Sequence, residues 1–142
     1  MFDPETGLLT REAFWQDLAK TVAEAGERGQ ALSMVRISFD GVFDTRTDMD
    51  AARLLPRLIR EIDFAAREDD GSMLVAFTQT DLHAAHVVAR RIAATLKNTL
   101  LAPHRAHDQT TINVTLATLK ADDTLDSLVL RVMGGRQAVA AE

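Results

Sequence analysis

Three short apolar runs, "ALSMVRI" (31–37), "MLVAF" (73–77) and "TINVTLATL" (111–119), alternate along the chain with stretches of helical periodicity. This interleaving constrains the fold more than any other feature, because single strands set between amphipathic helices must share a sheet that the helices cover. Thr10 can cap a helix in which Phe14, Leu18 and Val22 recur at helical spacing. Leu9 is placed to staple onto Phe14, and the helix is expected to end near Gly26 or Gly29. The run "ALSMVRI" lies between a Gly-containing loop and "SFDG" and reads as a buried strand. "ARLLPRLIREI" puts Leu55, Leu58, Ile59 and Ile62 on one helical face, which requires the regular helix to start close to Pro56. Asp81 caps a longer helix with Leu82, Ala85, Ala89, Ile92 and Leu96 on one stripe. In "TINVTLATL", Ile112, Val114 and Leu116 alternate with Asn113, Thr115 and Thr118 as in a half-buried strand. "TLDSLVLRVM" reads as a closing helix before Gly134 and Gly135, and "LAPHRAHDQ" as an exposed loop. The order α-β-α-β(β)-α-β-α is too short for a doubly wound sheet. It predicts an α+β fold, a ferredoxin-like layer sandwich with a central antiparallel sheet flanked by helices.

At 142 residues and 46% hydrophobic, the chain fits one domain, residues 1–142, able to bury about two-thirds of its unfolded surface. A net charge of −5 argues against nucleic acid as a partner but leaves arginines to hold one small anionic ligand. The absence of cysteine excludes disulfides, thiol nucleophiles and Cys-based metal sites, and suits a reducing cytoplasm. "MFDPETGLLT" has no basic region followed by an apolar run, and no stretch approaches the roughly 20 apolar residues of a membrane helix. A soluble, cytoplasmic domain without membrane contact is expected.

The segment "REIDFAAREDDGSMLVAF" (60–77) carries an acid-rich turn straight into an apolar strand, the pattern of a hairpin with a polar tip. Asp69 and Asp70 read as a solvated turn rather than a general acid/base pair, since nothing adjacent in sequence would bury one of them and split their pKa values. The pairs His83/His86 and His104/His107 have no carboxylate partner at metal-ligand spacing, so a wet surface is the preferred reading and neither a metal nor a cofactor is expected. Trp15 is read as a lid on the core rather than a base-stacking residue.

Three stretches resemble, in order, the GGDEF family of diguanylate cyclases, which condense two GTP into cyclic di-GMP on a ferredoxin-related fold. "DPETGLLTREAF" is similar to the opening D-x-L-T-G-L-x-N-R-x-x-F, with Asp3, Thr6, Gly7, Leu8, Arg11 and Phe14 kept. "ALSMVRISFDGVF" resembles the first strand with its D-x-D-x-F-K extension, and "TINVTLATL" the V-T-V-S-I-G-V-A strand. The likeness spans nearly the whole chain and implies a piece of a longer multidomain signalling protein of a bacterial second-messenger system. Counting back from "TQTDL", which matches P-G-T-D, the signature G-G-D-E-F falls on Asp69, Asp70, Gly71, Ser72 and Met73, and none of its five residues is kept. Aspartates in place of the glycines would crowd a nucleotide and set charge beside its phosphates. The metal-holding acid of the hairpin corresponds to Gly71 and the first aspartate of D-x-D to Ser38, which leaves Asp40 alone where two metals need several carboxylate oxygens. The guanine-reading positions align with Arg46 and Thr47, and the triphosphate lysine falls on Ala140.

The resemblance therefore implies a degenerate domain that is not an enzyme and has no catalytic residue. One ligand motif of the family is retained: R-x-x-D, five residues before the signature, is present as Arg60 and Asp63. An arginine fork suits a phosphate or a guanine edge, and a carboxylate accepts from guanine N–H groups. Arg67, Arg90 and Arg91 are candidate secondary contacts, although Arg90 and Arg91 also read as the wet side of a helix. The expected function is a cyclic di-GMP receptor. The alternative is a ligand-free interaction module that forms a homodimer or docks on another domain of the same protein, and an active cyclase ranks third.

Overall fold

The structure is a computed structural model that describes residues 2–40, 45–100 and 111–133. Helix α1 (Arg11–Arg28) starts where Thr10 Oγ1 accepts the Ala13 N–H, and it stops at Gly29, whose φ of 65° lets its own N–H return to the Ala25 carbonyl. Strand β1 (Leu32–Asp40), helix α2 (Thr45–Leu54), strands β2 (Phe64–Arg67) and β3 (Met73–Thr78), helix α3 (Leu82–Leu100), strand β4 (Thr111–Thr118) and helix α4 (Leu125–Met133) follow. The sheet has the order β2-β3-β1-β4 with every neighbouring pair antiparallel. This is the predicted α+β layer sandwich.

Alternation along the strands divides the core in two. Val35, Ile37, Val75, Phe77, Val114 and Leu116 face α2 and α3, where they meet Ala52, Leu55, Ala85, Ala89, Ile92 and Leu96. Met34, Leu74, Ala76 and Ala117 face α1 and α4, against Phe14, Leu18, Val22, Leu128 and Val132. Strand β3 is buried on both faces, which is why "MLVAF" shows no alternation. Trp15 packs against this second core and meets Phe14 edge to face, as the lid reading expected.

Two expectations are corrected. The helix foreseen around Pro56 lies before it: α2 ends at Leu54, and Leu55–Arg57 form a single 3₁₀ turn. Proline has no N–H to continue the ladder, so it ends this helix instead of opening one. Of the four residues assigned to one helical face, only Leu55 is fully buried, and Ile62 is exposed. In α3 the stripe holds at Ala85, Ala89, Ile92 and Leu96, but Leu82 in the first turn is 50% exposed. The expected loop at "LAPHRAHDQ" and the stop at Gly134 and Gly135 lie outside the described residues.

The opening segment is pinned to the outer edge of β2. Leu9 donates its N–H to the Ala65 carbonyl at 3.0 Å. Before it, the Asp3 carbonyl accepts from the Gly7 N–H, the Asp3 carboxylate accepts from the Thr6 hydroxyl, and Gly7 takes a φ of 80° that a side chain would resist. Of the residues that carried the sequence resemblance at this end, Asp3, Thr6 and Gly7 thus form a structural turn beside the sheet edge, while Arg11 and Phe14 belong to α1.

Candidate ligand site

Arg60 and Asp63 lie in the turn between the 3₁₀ segment and β2, not at a helix end. The Asp63 N–H bonds to the Arg60 carbonyl at 3.0 Å, closing a tight turn that brings the two side chains together. Asp63 Oδ2 accepts from the Arg60 backbone N–H at 3.0 Å and from Nε at 3.1 Å. Asp63 Oδ1 accepts from Nη2 at 3.1 Å and from the Thr78 N–H at 3.2 Å. The carboxylate has a side-chain exposure of 1%, so these four donors replace water around it. Arg60 Nη2 also donates to the Thr78 carbonyl and to Thr80 Oγ1, each at 2.7 Å. Nη1 takes no part in these bonds, and the arginine side chain remains 55% exposed.

The pair lines a cavity of about 390 Å³ between the opening segment and the Pro56–Ala65 stretch, a volume within the range of small-ligand sites. Leu8, Leu9, Pro56, Ile59 and Phe64 supply apolar wall, and Phe2 and Ile62 stand there largely exposed. Asp17 and Glu61 line it as well, so its ionisable groups are three carboxylates and one guanidinium. Phosphate charge is acceptable only at Arg60. The hydrogen-bond donors of a guanine base suit the carboxylates, with Asp63 already saturated by protein donors.

At the opposite end of β2 and β3 lies the hairpin tip. The Glu68 N–H bonds to the Ser72 carbonyl at 2.7 Å, and Gly71 has a φ of 88°. Asp70 folds back to accept from the Ser72 N–H and hydroxyl at 2.9 and 2.6 Å. The tip is tied to the body by arginines: Arg11 reaches Glu68 at 2.6 Å and Asp69 at 3.1 Å, and Arg36 reaches Asp70 at 3.0 Å. The Ser72 hydroxyl leads in holding the Asp70 carboxyl below the usual aspartate range; burial opposes it, while the Ser72 N–H and the Arg36 charge add to it. These acids form a paired turn. Asp69 to Ser72, in the stretch that the sequence count aligned with the signature, form the hairpin tip, and Met73 opens β3.

The secondary arginines do not gather around Arg60. Arg67 pairs with Met73 at the hairpin end of β2, whereas Phe64 at the other end lies opposite Ala76. Arg90 and Arg91 are exposed on α3 and do not line the cavity. Thr78 and Thr80, which sequence reading used only as landmarks in "TQTDL", turn out to be partners of Arg60; the separation of 18 and 20 residues hides this from any local pattern. Arg11 and Arg36 were likewise not foreseen as partners of the hairpin acids. Ser38 faces Asn113 across the β1–β4 ladder. Ala140 and the pair His104/His107 lie outside the described residues. Among the described residues no three His, Asp or Glu side chains converge as a metal site, and no helix is long and apolar enough to cross a membrane.

A sheet of this order with helices on both faces defines the class of ferredoxin-like α+β domains, and solved structures that share the fold over nearly the whole chain are GGDEF domains. The GGDEF domain of DgcB from Caulobacter crescentus in complex with c-di-GMP superposes with a TM-score of 0.80 at 18% identity, covering 94% of this chain and 85% of that one. The FimX GGDEF domain from Pseudomonas aeruginosa gives 0.78 at 19% identity over 94% and 89%. The diguanylate cyclase SiaD in complex with its activator SiaC, also from Pseudomonas aeruginosa, gives 0.78 at 24% identity, with 94% of this chain covered and 55% of that one. No protein-family model and no curated relative matches the chain. The protein has the GGDEF-domain fold.

Proposed function

We propose that this domain is a catalytically inactive GGDEF-like module that binds cyclic di-GMP through Arg60. The observation that carries the reading is the placement of Arg60, half exposed and held on one side by Asp63, at a cavity of nucleobase-compatible size. A guanidinium fixed in this way can meet a phosphate oxygen or the Hoogsteen edge of guanine with charge-assisted bonds. Support also comes from the c-di-GMP complex of the similarly folded DgcB domain. Inactivity is supported by Ser38, Gly71 and the aspartates at 69 and 70, which remove carboxylates where metals would bind and add them where phosphates would lie.

A second reading is favoured by one specific observation. Every acceptor position of Asp63 is taken by a protein donor, so the pair could serve only to fix the turn, and the domain would then act as an interaction or dimerisation module. Calorimetric titration with cyclic di-GMP separates the two. Binding at tens of micromolar or tighter, roughly −6 to −7 kcal/mol, that Arg60→Ala weakens at least tenfold upholds the receptor. No heat in that range, or equal affinity in the variant, leaves the interaction module.

A further inference from the structure

We infer that Thr80 is a positioning residue for Arg60: its hydroxyl presets the guanidinium for ligand. This rests on the reading of Arg60 as the ligand contact and adds to it the group that sets its affinity. Thr80 is buried, and its Oγ1 donates to the Thr78 carbonyl at 2.8 Å, which leaves its lone pairs to accept from Arg60 Nη2. The geometry depends on Gln79, whose φ of 51° turns the chain so that the Thr78 carbonyl and the Thr80 hydroxyl both reach the same nitrogen. The main chain of Thr80 is anchored in turn. Ser33 Oγ donates to the Thr80 carbonyl at 2.9 Å and lies 2.8 Å from Thr118 Oγ1, so β1 and β4 both brace the turn that follows β3.

A free arginine on a turn samples many rotamers and must give up that side-chain entropy when a ligand immobilises it. Here Asp63 holds Nε and Nη2, and the Thr78 carbonyl and the Thr80 hydroxyl share the outer face of Nη2, so part of that cost is met in the fold and binding need not supply it. Asp63 cannot be tested cleanly, because its removal strips donors in the turn of their acceptor. Thr80→Val can, since it keeps the shape of the side chain and deletes only the hydroxyl.

The test titrates cyclic di-GMP into wild type, Thr80→Val and Thr80→Ser, and in the absence of ligand records the Arg60 guanidinium by NMR. Rotation about Cζ–Nη2 should be faster in Thr80→Val, which keeps only Asp63 and the Thr78 carbonyl on that nitrogen, than in wild type and Thr80→Ser. Affinity should fall about tenfold in Thr80→Val and return in Thr80→Ser. Unchanged affinity in Thr80→Val overturns the inference. If wild type does not bind cyclic di-GMP, the receptor reading falls, and the NMR comparison alone decides whether Thr80 positions Arg60; identical spectra in wild type and Thr80→Val overturn that too.

Discussion

Arg60 and Asp63 close on each other through two parallel bonds, Nε to Oδ2 and Nη2 to Oδ1, both 3.1 Å long. A bidentate pair with a fully buried acid is part of the fold as well as of any site. Asp63→Ala is therefore expected to lower stability by about 2–4 kcal/mol, because the Arg60 and Thr78 N–H groups lose their acceptor. Arg60→Ala should cost less, about 1–3 kcal/mol, since its side chain is partly in water, but it strands the buried carboxylate. Urea unfolding of the two variants checks the order. An Asp63→Ala protein as stable as wild type would show that the pair contributes nothing to the turn.

Gln79 is the non-glycine residue at positive φ among those described, with φ at 51°. The left-handed region costs a residue with a Cβ roughly 1–2 kcal/mol, against roughly 0.5–1 kcal/mol of extra chain entropy lost by glycine. Gln79→Gly is accordingly expected to raise stability by about 0.5–1 kcal/mol, read as a higher urea midpoint at unchanged slope. A lower midpoint would mean that the glutamine side chain makes a compensating contact. The sequence resemblance places this residue at the glycine of P-G-T-D, a residue type that adopts such a φ without strain.

Acid should weaken the fold through two aspartates. Burial pushes the Asp123 carboxyl up, but the Lys120 N–H, the Ser127 hydroxyl and the Arg131 charge outweigh it and hold the group below its ordinary range. Asp70 is lowered chiefly by the Ser72 hydroxyl. A depressed native pKa means that the unfolded chain binds more protons in the acid window, so stability rises with pH there. The contribution is complete above the unfolded value of about 3.9 and disappears as pH falls through the lower native values. Stability measured from pH 5 downward should drop, and the drop should be shallower in Asp123→Asn. An identical slope in that variant would remove Asp123 from the account.

What the sequence made legible was local. Thr10 and Asp81 marked helix starts because a cap is decided within one turn, the end of α1 was narrowed to Gly26 or Gly29 and falls at Gly29, and β3 was plain because both its faces are apolar. Pro56 misled because a proline can open a helix or end one, and which of these holds depends on α2 packing against α3 through Ala51 and Ala52. At the site, Arg60 and Asp63 were visible as a spaced pair. Their partners were not, since Thr78, Thr80 and Ser33 come from β3, its following turn and β1, and only the sheet register brings them together.

Catalysis supplies the last prediction. Purified protein should form no cyclic di-GMP from GTP with magnesium or manganese, because a two-metal clamp needs carboxylates on both sides of the phosphates, and of the D-x-D and hairpin positions only Asp40 retains one where the resemblance places metal. Ser38→Asp alone should not restore turnover, as the hairpin would still lack its acid. Restoring that acid is itself strained: Gly71 has a φ of 88°, so an aspartate there would cost about 1–2 kcal/mol of backbone energy, and it would stand next to Asp70, already engaged with Ser72 and Arg36. Product formation is followed by chromatography of the nucleotides over hours at high enzyme concentration. Metal-dependent product that disappears in Asp40→Ala would overturn the inactive reading, because it would show that one carboxylate and this rebuilt turn suffice to bring two GTP together.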